Sequence, residues 1–79
     1  MAEHTTETVR LTWIPDNGKP ETLVAELPAD HLQQMRDLMG TSKWAHSEAV
    51  MWIKCRVADE PMTKRLFRLA RITSLDPAN

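Results

Sequence analysis

The sequence predicts a small α+β domain: a β-hairpin, one helix, then two further antiparallel strands, curled into a small barrel or laid out as a sheet with the helix packed on it. Three observations carry this expectation. Apolar and polar residues alternate in three separate segments, the two-residue period of half-buried strands. One segment between them changes to the three-and-four spacing of a helix face. Turn residues fall at the junctions. At 79 residues the chain supports a single core, because a domain this small buries only about 60% of the surface that its unfolded form exposes.

Met1 to Thr8 is polar, without period, and reads as a flexible tail ahead of a domain over residues 9–76. Val9, Leu11 and Trp13 then share one side, with Arg10 and Thr12 on the other. Leu23, Ala25 and Leu27 repeat the alternation, with Thr22 and Glu26 outward. Between them lies Pro15-Asp16-Asn17-Gly18-Lys19-Pro20, where Asn-Gly accepts positive φ and the prolines stop the ladder, so the two strands form a hairpin. Asp30 as N-cap, Leu32, Met35, Leu38 and Met39 on one face, and Gly40 just past the end predict a helix over residues 30–39. Thr41 to Glu48, interrupted by Trp44, reads as a loop. From Val50 to Val57, Met51, Ile53, Cys55 and Val57 alternate with Trp52, Lys54 and Arg56, a third strand that ends in the turn Ala58-Asp59-Glu60-Pro61.

Residues 64–75 admit two readings. On a helix, Arg65, Arg68 and Arg71 form a basic arc of about 120° opposite Leu66, Leu69, Ala70 and Thr73. On a strand, Phe67 and Leu69 share a side with Arg65 and Arg71. The residue pattern alone separates the faces more cleanly as a helix.

Composition bounds the rest. With 42% apolar and 27% charged residues, two glycines and five prolines, the chain is neither collagen-like nor disordered. Its uncharged runs, such as Ala49 to Ile53, fall far short of the roughly 20 residues that cross a bilayer. The amino end lacks the charged-then-apolar layout of a secretory leader, so the expected setting is the cytoplasm, away from membranes. The single cysteine, Cys55, cannot close an intrachain disulfide, and a small domain without a staple with an exposed sheet edge is expected to gain from pairing as a homodimer. The net charge of −1 hides an asymmetry: residues 1–48 hold four basic and eight acidic side chains, residues 49–79 six and three. Near-neutrality argues against a strong non-specific DNA binder, while the basic carboxyl third suits a phosphate, a short nucleic-acid strand or an acidic protein face.

The segment Arg65-Leu66-Phe67-Arg68-Leu69-Ala70-Arg71-Ile72-Thr73-Ser74-Leu75 resembles the carboxyl-terminal strand motif of WYL domains, usually an arginine, one residue, then Phe-Arg-Leu-Asp-Arg-Ile. Ile53-Lys54-Cys55-Arg56 resembles the strand that precedes it. Ala70 stands at the motif aspartate, and Ala49-Val50-Met51 at the eponymous triad. The resemblance implies that residues 64–75 are a strand of a small SH3- or Sm-like barrel. It also implies that Arg68 and Arg71, which match the two motif arginines, line a site for a nucleotide or nucleic acid.

The candidate ligand residues are Arg68, Arg71, Lys54 and Arg56, with Lys64 and Arg65 extending the basic group. Forked guanidinium donors engage two phosphate oxygens at once, and Trp52, on the side of Lys54 and Arg56, is placed to stack a base. Trp44, a large ring in a polar loop, is either folded back onto the helix or, with Arg65, presented to a protein partner. Trp13 and Cys55 read as core. His4, His31 and His46 lack metal-site spacing, so no metal or other cofactor is expected. No paired carboxylates, glycine-rich phosphate loop or Ser-His-Asp set can be assembled, so no catalysis is expected either. Two functions follow: a non-enzymatic regulatory domain that binds single-stranded nucleic acid or a nucleotide, or a small protein-interaction module. The second would be an accessory or inhibitor protein of phage or plasmid type, docking an acidic partner surface through the same arginines and Trp44.

Overall fold

The structure, a computed structural model, describes residues 5–57 and 59–78. Residues 1–4 of the expected tail, with His4, and Ala58 of the expected turn lie outside the described residues. The first two strands are β1 (Thr6–Trp13) and β2 (Glu21–Pro28), paired antiparallel from Thr6 opposite Pro28 to Trp13 opposite Glu21. β1 thus begins three residues before the alternation at Val9. Thr6, Glu7 and Thr8 are polar because their side chains are exposed, while their backbone is already in the ladder. The hairpin turn forms as its residues dictate: Gly18 takes φ 79°, its N–H donates to the Pro15 carbonyl at 2.9 Å, and Asn17 Oδ1 accepts the Lys19 N–H at 2.8 Å.

Helix α1 (Ala29–Leu38) follows β2 without a connecting loop, and its N-cap is Pro28 rather than Asp30. Proline at φ −57° leads the chain directly into the first turn, the Ala29 N–H is satisfied by the Thr5 carbonyl at 2.7 Å, and no side-chain cap bond forms. Asp30 lies in the first turn, where its charge complements the helix dipole. Gly40, at φ 87°, makes the expected left-handed exit. Leu32 and Met35 face the core, and Arg36 Nη2 donates to the Leu75 carbonyl at 3.2 Å. The expected loop after Gly40 contains a one-turn helix, α2 (Ser42–Ala45), capped by Thr41 Oγ1 accepting the Trp44 N–H at 3.3 Å. A four-residue helix is too short to show a period. Its role is to turn Trp44 inward, where the ring is 6% exposed and Nε1 donates to the Ile72 carbonyl at 3.0 Å.

Strand β3 (Val50–Arg56) matches the alternation, but the single strand expected over residues 64–75 is two strands. β4 (Thr63–Arg68) pairs with β3, a 3-10 turn (Leu69–Arg71) interrupts the chain, and β5 (Ile72–Pro77) pairs with β1. The sheet order is β4-β3-β2-β1-β5, antiparallel throughout, so three residues connect its opposite edges. In a flat sheet those edges would stand about 19 Å apart, four spacings of about 4.8 Å, whereas a 3-10 turn advances only about 2 Å per residue. The sheet must therefore coil. Coiling brings Trp13 of β1 edge-on against Phe67 of β4, with ring centroids 4.8 Å apart and planes at 83°. The two edges are nevertheless not hydrogen-bonded to each other, so the sheet stays open and no barrel forms. A register shift at Thr12/Trp13 gives β5 an extra residue, which is why Ile72 and Leu75, three apart, are both buried.

The inner face holds Val9, Leu11, Leu23, Ala25, Leu27, Ile53, Cys55, Phe67 and Leu75, closed by Leu32, Met35 and Trp44 from the helices. The open edges on which the expected self-pairing rests carry Lys64, Arg65 and Arg68 on β4 and Pro77 on β5, features that oppose strand addition. Among the described residues no helix is long and apolar enough to cross a membrane. Trp44→Phe is expected to orphan the Ile72 carbonyl and leave part of the indole's volume unfilled, lowering stability by about 1–3 kcal/mol. A urea titration reads this as a lower midpoint with an unchanged slope; an unmoved midpoint would show that the indole hydrogen bond contributes nothing.

Candidate functional site

Antiparallel register assigns every strand residue to a face, since directly opposed residues project to the same side. Lys54 opposes Glu26 and Lys64, Trp52 opposes Leu66, Val50 opposes Arg68, and Val24 opposes both Arg56 and Arg10. These residues lie on the outer face, away from the helices. Trp52 is 64% exposed, Val50 56% and Leu66 49%. The Trp52 position has Leu66 directly across, Val50 and Lys54 on either side along β3, and Lys64 and Arg68 on the two diagonals, about 7–8 Å away in a sheet of this kind. Among the described residues no cation lies over its ring. The strands of this face bear Arg10, Lys54, Arg56, Lys64 and Arg68 against Glu26 and Asp76.

Four of the five residues expected to bind a ligand, Trp52, Lys54, Arg56 and Arg68, therefore share one surface. Arg71 does not. It sits on the 3-10 turn, where Nη1 donates to the Ile14 carbonyl at 3.4 Å and Nη2 lies 3.6 Å from Asp16 Oδ1. Lys54 Nζ is 3.7 Å from Glu26 Oε1, whereas Arg56, Lys64 and Arg68 form no ion pair among the described residues. Arg10 was not singled out by its sequence context: its alternation marks it as outward, but only the pairing of β1 and β3 with β2 brings it into line with Arg56.

Two residues expected to face a partner have other positions. Trp44 is in the core, folded back as described above. Arg65, opposite Ile53, is on the inner face. Its guanidinium carbon is 5.8 Å from the Trp13 ring centroid and 5.9 Å from that of Phe67, and Nη1 is 3.6 Å from Glu21 Oε1, the same oxygen that accepts the Trp13 indole N–H at 3.1 Å. Arg65 and Glu21 thus form a polar cover over the aromatic end of the core.

Beneath that cover lies Cys55, fully buried. Burial pushes its thiol above the ordinary 9.0, with the Glu21 carboxylate adding to the rise and the Arg65 guanidinium opposing it. A protonated, inaccessible thiol is a poor nucleophile. Among the described residues no three His, Cys, Asp or Glu side chains converge to hold a metal ion.

The fold and this surface define a class: a small α+β domain with a five-stranded antiparallel sheet, covered by a helix on one side and carrying an aromatic-basic surface on the other. Comparison with family models, curated proteins and solved structures yields no match for this chain.

Arg65→Ala is expected to destabilise the fold by about 0.5–1 kcal/mol through the lost cation–π contact, without altering the outer face. Thermal unfolding measures the first, and near-ultraviolet circular dichroism of Trp13 and Phe67 its structural origin. A variant as stable as wild type would contradict the cover. For Cys55, the raised folded-state pKa means that the unfolded chain loses its proton first, so the contribution is intact below 9.0 and lost as pH rises beyond it. Stability should fall above that pH, less steeply in Cys55→Ala, and the native thiol should resist a disulfide reagent at pH about 8 until denaturant is added.

Proposed function

We propose that this protein is a non-catalytic regulatory domain of the cytoplasm that binds a short single strand of nucleic acid across the uncovered face of its sheet. The observation that carries this reading is Trp52, 64% exposed and bordered by Lys54, Lys64 and Arg68. A base stacks on the indole while the surrounding cations meet the phosphates on either side of it. Arg56 and Arg10 extend the positive surface across β3, β2 and β1. The resemblance of residues 65–75 to the WYL carboxyl-terminal motif supports the same class of ligand, with Arg68 in the matching role. A rigid sheet holds these groups without the ordering cost that a flexible basic tail would incur on binding.

A second reading is favoured by the aliphatic exposure of Val50 and Leu66 beside Trp52, which stacking does not require. The same strip would then be the apolar centre of a contact with an acidic protein partner, the cations forming its rim.

Fluorescence anisotropy with a labelled oligodeoxythymidylate separates the two. Three or four phosphate contacts give a log–log salt slope of about −2 to −3 on a single strand. Trp52→Ala should weaken binding by about 1–3 kcal/mol at every salt concentration while leaving that slope unchanged. Arg68→Ala should weaken binding and reduce the slope by about 0.7. No binding at low salt eliminates the nucleic-acid reading and leaves the acidic partner.

A further inference from the structure

Beyond the outer face, a groove of about 500 Å³ lies where β4 passes the hairpin turn, lined by Trp13, Pro15, Asp16, Leu66, Arg68 and Arg71. We infer that this groove is a phosphate subsite for the bound nucleic-acid strand and that Asp16 occupies it in the free protein, its carboxylate standing where a phosphate oxygen will bind. The inference rests on the nucleic-acid reading proposed above and goes beyond it by giving Asp16 a regulatory role, as the competitor that a phosphate must displace from Arg71.

The groove begins where the outer face ends. Leu66 is shared by both, since it opposes Trp52 across the β3–β4 ladder and also lines the groove. A strand stacked on Trp52 and passing over Leu66 therefore arrives between Arg68 and Arg71. Arg68 has no ion-pair partner among the described residues. Arg71 is fixed through its Nη1 hydrogen bond to the Ile14 carbonyl, which leaves Nη2 directed at Asp16. That arrangement presents part of a guanidinium fork, with the backbone already bonded to the rest.

Asp16 is the weakest component of the set. Its side chain is fully solvent-exposed, and the 3.6 Å separation from Arg71 exceeds the about 2.7–2.9 Å of a charge-assisted hydrogen bond. Exposed pairs of this kind shift an equilibrium by about fivefold or less. A phosphodiester carries the same single negative charge as the carboxylate, but placed between two arginines and with binding energy from Trp52 behind it, it displaces Asp16 at little cost. The two guanidiniums and one carboxylate leave the groove with a net positive charge, complementary to an anion.

The arrangement has a signature in salt dependence. Salt screens the exposed Asp16–Arg71 pair, so the competition that Asp16 offers a phosphate is strongest at low salt. The number of phosphates neutralised is the same in wild type and Asp16→Asn, so the advantage of the variant is largest at low salt and shrinks as salt is raised. Asp16 is exposed on a surface turn, so the substitution leaves the core untouched.

The test is an anisotropy titration of labelled oligodeoxythymidylate of about 12 nucleotides against wild type, Asp16→Asn, Arg71→Ala and the double variant, each at two salt concentrations. Asp16→Asn should bind about two- to fivefold tighter than wild type at low salt, with that gain shrinking at the higher salt concentration. In the Arg71→Ala background Asp16→Asn should bring no gain. An equal gain with and without Arg71 would reduce Asp16 to a distant repulsive charge and overturn it. So would an unchanged affinity in Asp16→Asn when wild type binds and Trp52→Ala weakens that binding, a result that leaves the sheet-face reading intact. Absence of binding by both wild type and Asp16→Asn would overturn the subsite and the reading together.

Discussion

The three-residue connection from β4 to β5 is the constraint from which the remaining geometry follows. Because it joins opposite edges of a five-stranded sheet, the strands must coil until those edges approach. The coil makes one face concave and filled and the other convex and bare. On the concave side it closes Trp13 on Phe67 and allows Arg65 and Glu21 to cover the ring pair. On the convex side it leaves Trp52 and its cations without a covering element. A helix of ten residues and a single extra turn are then enough to close the rest of a core that, among the described residues, is built from thirteen buried apolar side chains.

The hairpin, α1 and β3 were legible because each is longer than its own period and bounded by residues with a mechanism, Asn17-Gly18 and Gly40 among them. Residues 64–75 were not, and the mixed faces seen on a one-strand reading were the sign of it. Arg65 and Phe67 point inward from β4, and after the 3-10 turn the parity starts afresh with Ile72 and, past the bulge, Leu75. Residue patterning records which side chains are buried, but it does not record the hydrogen bonds from the Leu69 N–H to the Ala49 carbonyl and from the Ile14 N–H to the Arg71 carbonyl that fix the break. For Trp44 the sequence offers both an inward and an outward course, and the threonine cap with the indole bond to the Ile72 carbonyl fixes the inward one.

The basic third of the chain divides by the same logic. Six cations adjacent in sequence are not one cluster. Arg65 belongs to the core's polar cover and Arg71 to the hairpin turn, while Lys54, Arg56, Lys64 and Arg68 share the outer face, joined by Arg10 from the acidic half of the chain. Exposed ion pairs contribute little to folding, so on the proposed reading the pairs that Glu26 and Asp16 make with Lys54 and Arg71 matter chiefly as local competitors for an anion. What distinguishes this surface from an ordinary solvated strand face is the aromatic ring at its centre.

The proposed binding face is tested directly by titrating isotopically labelled protein with unlabelled oligodeoxythymidylate at low salt and following amide and indole resonances. The Trp52 indole and the amides of Lys54, Arg56, Leu66 and Arg68 should move together and saturate together, while those of His31, Gln34 and Leu38 on the outward side of α1 stay in place. Movement confined to the helix side, or no movement anywhere, would contradict a binding surface centred on Trp52.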